Sequence, residues 1–189
     1  MSESYCRAVR EGRLPDVHRA YHDEQYGFPL REDHELFERL VLEINQAGLS
    51  WTTILRKQEA FRAAYADFRP ACVAAFGEAD EARLLTDVGI IRNRLKIRAA
   101  VENARRILVL IGRHGSFAAW LDHHHPQDPD SWVRLMRRTF VFMGPEIVRE
   151  FLVSTGYLPG AHEHDCPAQA RIVDLQPAWT KAASAERSP

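Results

Sequence analysis

Between residues 33 and 47 the apolar positions fall at Leu36, Phe37, Leu40, Val41 and Ile44. That is the i, i+3, i+4 spacing of one helical face, and Gly48 ends the run. The same rhythm returns along the chain. Ser50 is placed to cap a short helix with Trp51, Ile54 and Leu55 on one side. Residues 60–65 and 70–76 read as further short helices, the second with proline at its first position. A helix opens at Asp80 and stops at Gly89, and a long one spans residues 93–110. Ser116 and Ser131 are expected N-caps of two more. Pro145–Ser154 carries Ile147, Val148, Phe151 and Leu152, and Gly156 closes it. Strand-like alternation is scarce, so the chain is expected to be all-α. The pattern predicts one helical domain over residues 1–170. Residues 171–189, rich in Ala, Ser and Pro, are expected as a flexible C-terminal tail.

Composition narrows the picture. With 189 residues, 46% of them hydrophobic, the chain can bury one sizeable core. A formal net charge of −1 excludes a uniformly basic nucleic-acid coat. The charge is uneven, however: Arg92, Arg94, Lys96, Arg98, Arg105 and Arg106 are countered within their stretch by Glu102 alone. That local excess suits an anionic partner. The three cysteines, Cys6, Cys72 and Cys166, lie far apart. Their odd number and the lack of a signal-like start argue against a secreted disulfide scaffold and for a reducing, cytosolic setting. Cys72 reads as a small core residue. No apolar run approaches the roughly 18–20 residues of a membrane span.

Several stretches carry chemistry. Residues 161–166 read AHEHDC, placing His162, His164 and Cys166 within five positions. Imidazole and thiolate donors suit zinc, yet a closed structural zinc takes four ligands and this stretch holds at most three. Residues 84–98 read LLTDVGIIRNRLKIR: a helix end, a glycine turn and a basic helix start. A helix-hairpin-helix has this pattern, its turn N–H groups meeting a phosphate. An ordinary αα-hairpin with a solvated basic face fits it as well. Residues 19–29 (RAYHDEQYGFP) crowd Tyr21, His22 and Tyr26 before a Gly-Phe-Pro turn, and alone they read as an aromatic-anchored loop. In residues 41–55 (VLEINQAGLSWTTIL), Glu43 falls in a mostly apolar helix. Burying an unpaired carboxylate is costly, which makes Glu43 a candidate functional residue. Trp51, beyond the glycine break, can stack on something flat. Residues 122–130 (DHHHPQDPD) read as a solvated turn.

Taken in order, YHDEQYGFP, LEINQAGLSWTTIL, DVGIIRNRLKI, FVFMGPEIV and a closing HxxxC resemble the 3-methyladenine DNA glycosylase I family along residues 6–166. The resemblance implies an all-α helix-hairpin-helix DNA glycosylase fold with a zinc site joining the N- and C-terminal segments. Its structural zinc ligands fall on Cys6, His22, His162 and Cys166, a Cys2His2 set. Its base pocket falls on Glu43 as the catalytic carboxylate, with Tyr21, Trp51, Gln46 and Tyr26 around the base. Its hairpin places Gly89, Ile91, Arg92, Arg94 and Lys96 on the DNA backbone. The activity implied is excision of 3-methyladenine from damaged double-stranded DNA by a cytoplasmic monomer. A lyase would need an amine nucleophile. The chain has only Lys57, Lys96 and Lys181; Lys96 belongs to the hairpin and the others lie near no motif. A monofunctional glycosylase is therefore expected.

The chain also departs from the family pattern. Ala8 stands where a Trp is common, His18 where a pocket Tyr is usual, and Tyr26 where Trp precedes the glycine. The basic run before FVFMG reads Arg137-Arg138-Thr139 where the family commonly ends in Arg-Gly. An aromatic face can contribute about 1–3 kcal/mol per stacked base, so these changes bear on activity. One rival reading is a zinc-containing helix-hairpin-helix DNA-binding protein with an altered or inactive pocket. Another is a metal-dependent phosphohydrolase, since His22-Asp23 and His164-Asp165 are both HD dipeptides.

Overall fold

The computed structural model describes residues 4–185, with side chains to residue 181. Every regular element among them is helical. In chain order these are α1 (Tyr5–Arg10), α2 (Val17–Glu24), α3 (Asp33–Gln46), α4 (Trp51–Leu55), α5 (Gln58–Ala64), α6 (Pro70–Ala74) and α7 (Glu78–Thr86). There follow α8 (Arg94–His114), α9 (Phe117–His124), α10 (Pro129–Thr139), α11 (Pro145–Ser154), α12 (Pro167–Asp174) and α13 (Ala178–Ala185).

The apolar stripe read between 33 and 47 becomes the central helix, α3. Leu36, Phe37, Leu40 and Val41 have no measurable exposure, and α4, α6, α8, α9 and α11 all pack against α3. Glu43 and Asn45 are drawn into the same interior because α3 is covered on nearly every side. Asn45 answers its own burial by donating to the Val41 carbonyl at 2.8 Å. Leu36, Phe37 and Leu40 join Phe117, Phe151, Trp120 and Trp132 in one core cluster.

Local signals place most helix starts. Ser50 accepts from the Thr53 N–H and Ser116 from the Ala119 N–H, as expected of N-caps. Ser131 is not a cap: Asp128 accepts its N–H at 2.9 Å, and Ser131 lies inside the first turn of α10. The aromatic stretch near residue 20, which alone reads as a loop, is the helix α2. Cys72 is only partly buried, and its neighbour Val73 takes the core position instead.

The segment expected as a tail from residue 171 contains the end of α12, a break at 175–177, and α13; residues 186–189 lie outside the described residues. The reason is docking. Ile172 is buried under α2, Ala178 joins the main core, and Arg171 stacks on Phe28 while donating to the Asp23 carbonyl at 2.9 Å. No helix among the described residues is long and apolar enough to cross a membrane.

Candidate active site and metal centre

Helix α2 presents two neighbouring residues to two different sites. His22 turns toward α1 and the 161–166 loop, and Tyr21 turns toward α3. On the first side, Cys6, His22, His162 and Cys166 are all buried, and their donor atoms lie within 4.8 Å of one another. His22 Nε2 is 3.2 Å from His162 Nδ1. Cys166 Sγ is 3.7 Å from His22 Nε2 and 3.6 Å from His162 Nδ1, and Cys6 Sγ is 3.5 Å from His162 Nδ1. A tetrahedral zinc with two N and two S ligands has donor–donor edges of about 3.3–3.8 Å. The four groups therefore already stand at coordination spacing.

The outer nitrogens settle which donor each histidine offers. His22 Nδ1 meets Asp23 Oδ1 at 2.7 Å, and His162 Nε2 donates to the Tyr26 carbonyl at 2.7 Å. His22 is thus free to bind through Nε2 and His162 through Nδ1. Burial, reinforced by the Cys166 thiol, pushes Cys6 up to about 11. A bound cation reverses that balance and ionises thiols. The corner depends on one glycine: Gly27 has φ +82°, and a Cβ there would stand 2.5 Å from Ala161 Cβ. His164 is exposed and belongs to no cluster among the described residues. Asp23 and Asp165 pair instead with His22 and Arg10, so neither HD dipeptide supplies a carboxylate ligand.

On the other side of α2 lies a cavity of about 410 Å³. Its walls include Tyr21, Tyr26, Trp51, Gln46 and Glu43, the five residues expected there. Tyr21 and Trp51 meet edge to face at 5.1 Å, and Tyr26 lies 5.6 Å from Tyr21. Arg39 is buried behind them, stacked over the Tyr21 ring and donating to its hydroxyl at 3.1 Å. Tyr21 offers the cavity its ring, and its hydroxyl, which accepts from Arg39, keeps its own proton to donate. Glu43 is 5% exposed, and the Ser154 hydroxyl donates to it across a long 3.5 Å. Burial drives its carboxyl up to about 8; the Arg39 cation opposes the rise and the Glu150 charge adds to it. A carboxyl left this poorly solvated at the floor of a cavity is poised for a positively charged ligand.

Four lining residues escaped sequence reading: Tyr5, Leu14, Thr52 and Glu150. Tyr5 is the more informative. Its hydroxyl meets His18 Nδ1 at 3.0 Å, and His18 Nε2 meets the Thr52 hydroxyl at 2.7 Å. Both ring nitrogens of His18 are thus engaged within the wall, and burial, chiefly, lowers its pKa toward the neutral ring. The Tyr5 ring packs edge-on against His18, His22 and Tyr26 at 5.6–5.8 Å. Tyr5, one residue before Cys6, adds an aromatic ring to the wall beside His18. A side chain three residues off the expected position gave no signal in sequence.

The glycine hairpin joins α7 to α8. Val88, Arg92, Asn93, Arg94 and Leu95 are exposed at its tip, and Asn93 caps α8 by accepting from the Leu95 and Lys96 N–H groups. Gly89 packs so tightly that a Cβ would come 2.9 Å from Ala60 Cβ. Ile91 is half-buried against the core. Arg94 also reaches Glu81 at 3.2 Å. Lys96 corrects expectation: it is buried, and its ammonium donates to the Asn45 and Ala47 carbonyls at 2.8 and 2.7 Å. Those carbonyls end α3 and have no helical partner, so a cation there is well placed. Lys57 likewise has a task, donating to the Val88 and Gly89 carbonyls at 2.8 and 3.2 Å. One lysine ties the hairpin to the pocket helix and the other braces its turn.

With this geometry in view, similarity to known proteins becomes informative. The family described as methyladenine glycosylase matches residues 13–133. DNA-3-methyladenine glycosylase 1 of Escherichia coli (strain K12) is 36% identical, with 72% of this chain and 83% of that protein covered. The solved structure of 3-methyladenine DNA glycosylase I from Staphylococcus aureus superposes with a TM-score of 0.76 at 34% identity, covering 84% of this chain and 94% of that one. A variant of 3-methyladenine DNA glycosylase I, solved in complex with 3-methyladenine, gives a TM-score of 0.76 at 33% identity, covering 84% and 95%.

Proposed function

The chain belongs to the methyladenine glycosylase family, and we propose that it excises 3-methyladenine from alkylated duplex DNA by hydrolysing the N-glycosidic bond. The observation that carries this is Glu43, a buried carboxyl with a pKa near 8 at the floor of an aromatic cavity. The target base must leave the helical stack to reach it, and a damaged base leaves more cheaply than an intact one. Tyr21, Tyr26 and Trp51 supply ring faces, and Gln46 lies at the wall. An N3-methylated adenine arrives as a cation. It stabilises the charged form of Glu43, and the carboxylate in turn holds the base in a site of low dielectric. When the glycosidic bond breaks, its electron pair stays on the base, which departs neutral. The sugar carbon takes up the positive charge, water adds to it, and a proton is lost.

No lysine among the described residues lines the cavity, which supports a monofunctional enzyme leaving an abasic site. The hairpin, with Gly89, Ile91, Arg92 and Arg94, is the surface we assign to the DNA backbone. Such contacts position the duplex and read no sequence. Cys6, His22, His162 and Cys166 suit a structural Zn2+. With four protein donors the ion has no open position, and it supplies a cross-link between residues distant in sequence. We take the enzyme to act as a cytoplasmic monomer at the nucleoid, a reducing setting that suits the free thiols.

Methylated duplex DNA incubated with the protein should release free 3-methyladenine, measured by chromatography. Glu43→Gln should lower the single-turnover rate by about 100-fold or more. Release that matches a protein-free blank would favour the other reading, a DNA-binding member with an inactive pocket. Tyr5 argues against that outcome, because it adds an aromatic ring to the cavity wall beside His18.

A further inference from the structure

The cavity holds a second carboxylate. Glu150, on α11, lines it beside Glu43, and its side chain is 36% exposed. The Tyr26 hydroxyl donates to Glu150 Oε2 at 3.3 Å, and the Arg149 guanidinium lies 3.2 Å from Oε1. Arg149 is 65% exposed, and an adjacent pair on the surface holds its partner weakly. The Tyr26 contact is different in kind. Family members commonly carry Trp at this position, and an indole at that place would not offer a hydroxyl. The change to Tyr is thus matched by a carboxylate within reach of the new donor. Two carboxylates in one cavity oppose each other, and Glu43 registers the Glu150 charge. A cationic ligand between them relieves that opposition.

We propose that Glu150, held by Tyr26, is a specificity-determining residue that accepts a hydrogen bond from an N–H edge of the flipped cationic base. This rests on the reading of the cavity as the base site. A carboxylate only accepts, so it favours a purine that presents amino or ring N–H groups there and disfavours one that presents a carbonyl oxygen. The pocket thereby prefers adenine-type over oxopurine-type lesions.

The test uses the full chain with its metal. Binding of free 3-methyladenine and 3-methylguanine is followed by tryptophan fluorescence, and excision of each from methylated duplex by chromatography. Glu150→Gln keeps the shape but can donate as well as accept. It should weaken 3-methyladenine binding by about 10- to 100-fold and shrink the preference over 3-methylguanine by about tenfold. The loss should fall on KM more than on kcat, a split that a merely structural defect would not produce. Tyr26→Phe should move the preference the same way by a smaller factor, and it serves if Glu150→Gln folds poorly by circular dichroism. Wild-type affinity and preference in both variants would overturn the proposal. A wild type that binds the base but releases none from DNA would sink the excision reading alone. A collapsed binding preference in Glu150→Gln would then still support the role given to Glu150.

Discussion

The metal corner and the base cavity share helix α2, one built on His22 and the other on Tyr21, yet they obey different rules. At the corner, four donors must meet within bonding distance of one point, and few residue types qualify. The four side chains expected as ligands come together there, each buried, and could hold a metal ion. The cavity asks only for ring faces, one poorly solvated carboxyl and a closed wall. Several residue sets meet that demand, and this chain uses its own: Tyr5 with His18 and Thr52 on one wall, Glu150 with Tyr26 on another. Coordination fixes identity, whereas shape and charge leave room for exchange. Tyr5 also joins the two, since it lies next to Cys6 and packs on His22.

The largest effect that can break this comparison comes from the corner. Cys166→Ala, or chelation of the wild type, should lower the melting temperature by about 10 °C or more, since metal binding is folding free energy. Base excision should fall with it, because Tyr5 loses its anchor. A chelated protein with unchanged melting and activity would separate the two sites altogether.

A second effect comes from the cavity and has the opposite sign for stability. Glu43 has a folded pKa near 8, above its ordinary 4.5. Its contribution to the folded state is therefore fully present below about pH 4.5 and is lost as pH rises through about 8. Glu43→Gln removes that loss. The variant should melt about 5–10 °C above wild type at pH 8.5, with the gap closing toward pH 5, while excision slows by about 100-fold or more. A gap that does not change with pH would mean that Glu43 is better solvated than its surroundings indicate.

The smallest effects sharpen the contrast within the hairpin. Lys96→Met should cost about 1–3 kcal/mol in urea unfolding, because two buried carbonyls lose their donor. Arg92→Ala should leave unfolding unchanged and reduce the slope of log K for duplex DNA against log salt by about one. Equal salt slopes for wild type and Arg92→Ala would remove Arg92 from the DNA surface.

Much of this was legible in the residues. The stripe of Leu36, Phe37, Leu40, Val41 and Ile44 identifies the central helix, and glycines and caps bound most of the others. Where reading failed, long-range docking was the cause. Residues from 171 onward look like a tail in composition, but Arg171 and Ile172 dock on the segment around α2 and Ala178 enters the core. Lys96 looks like one more cation in a basic run, and only the position of the α3 end turns it inward.

By itself the sequence determined the helix pattern, and through its family resemblance it pointed to the Cys2His2 set and to Glu43, Tyr21, Tyr26, Trp51 and Gln46. Local periodicity sets the helices, and ordered motifs carry the resemblance. Tertiary structure alone decided which groups complete the cavity and which charges of the hairpin face outward. Tyr5 meets His18, His18 meets Thr52, and Glu150 meets Tyr26, across separations of 13, 34 and 124 residues. No local spacing records such meetings. They follow from how α1, α4 and α11 pack around α2 and α3.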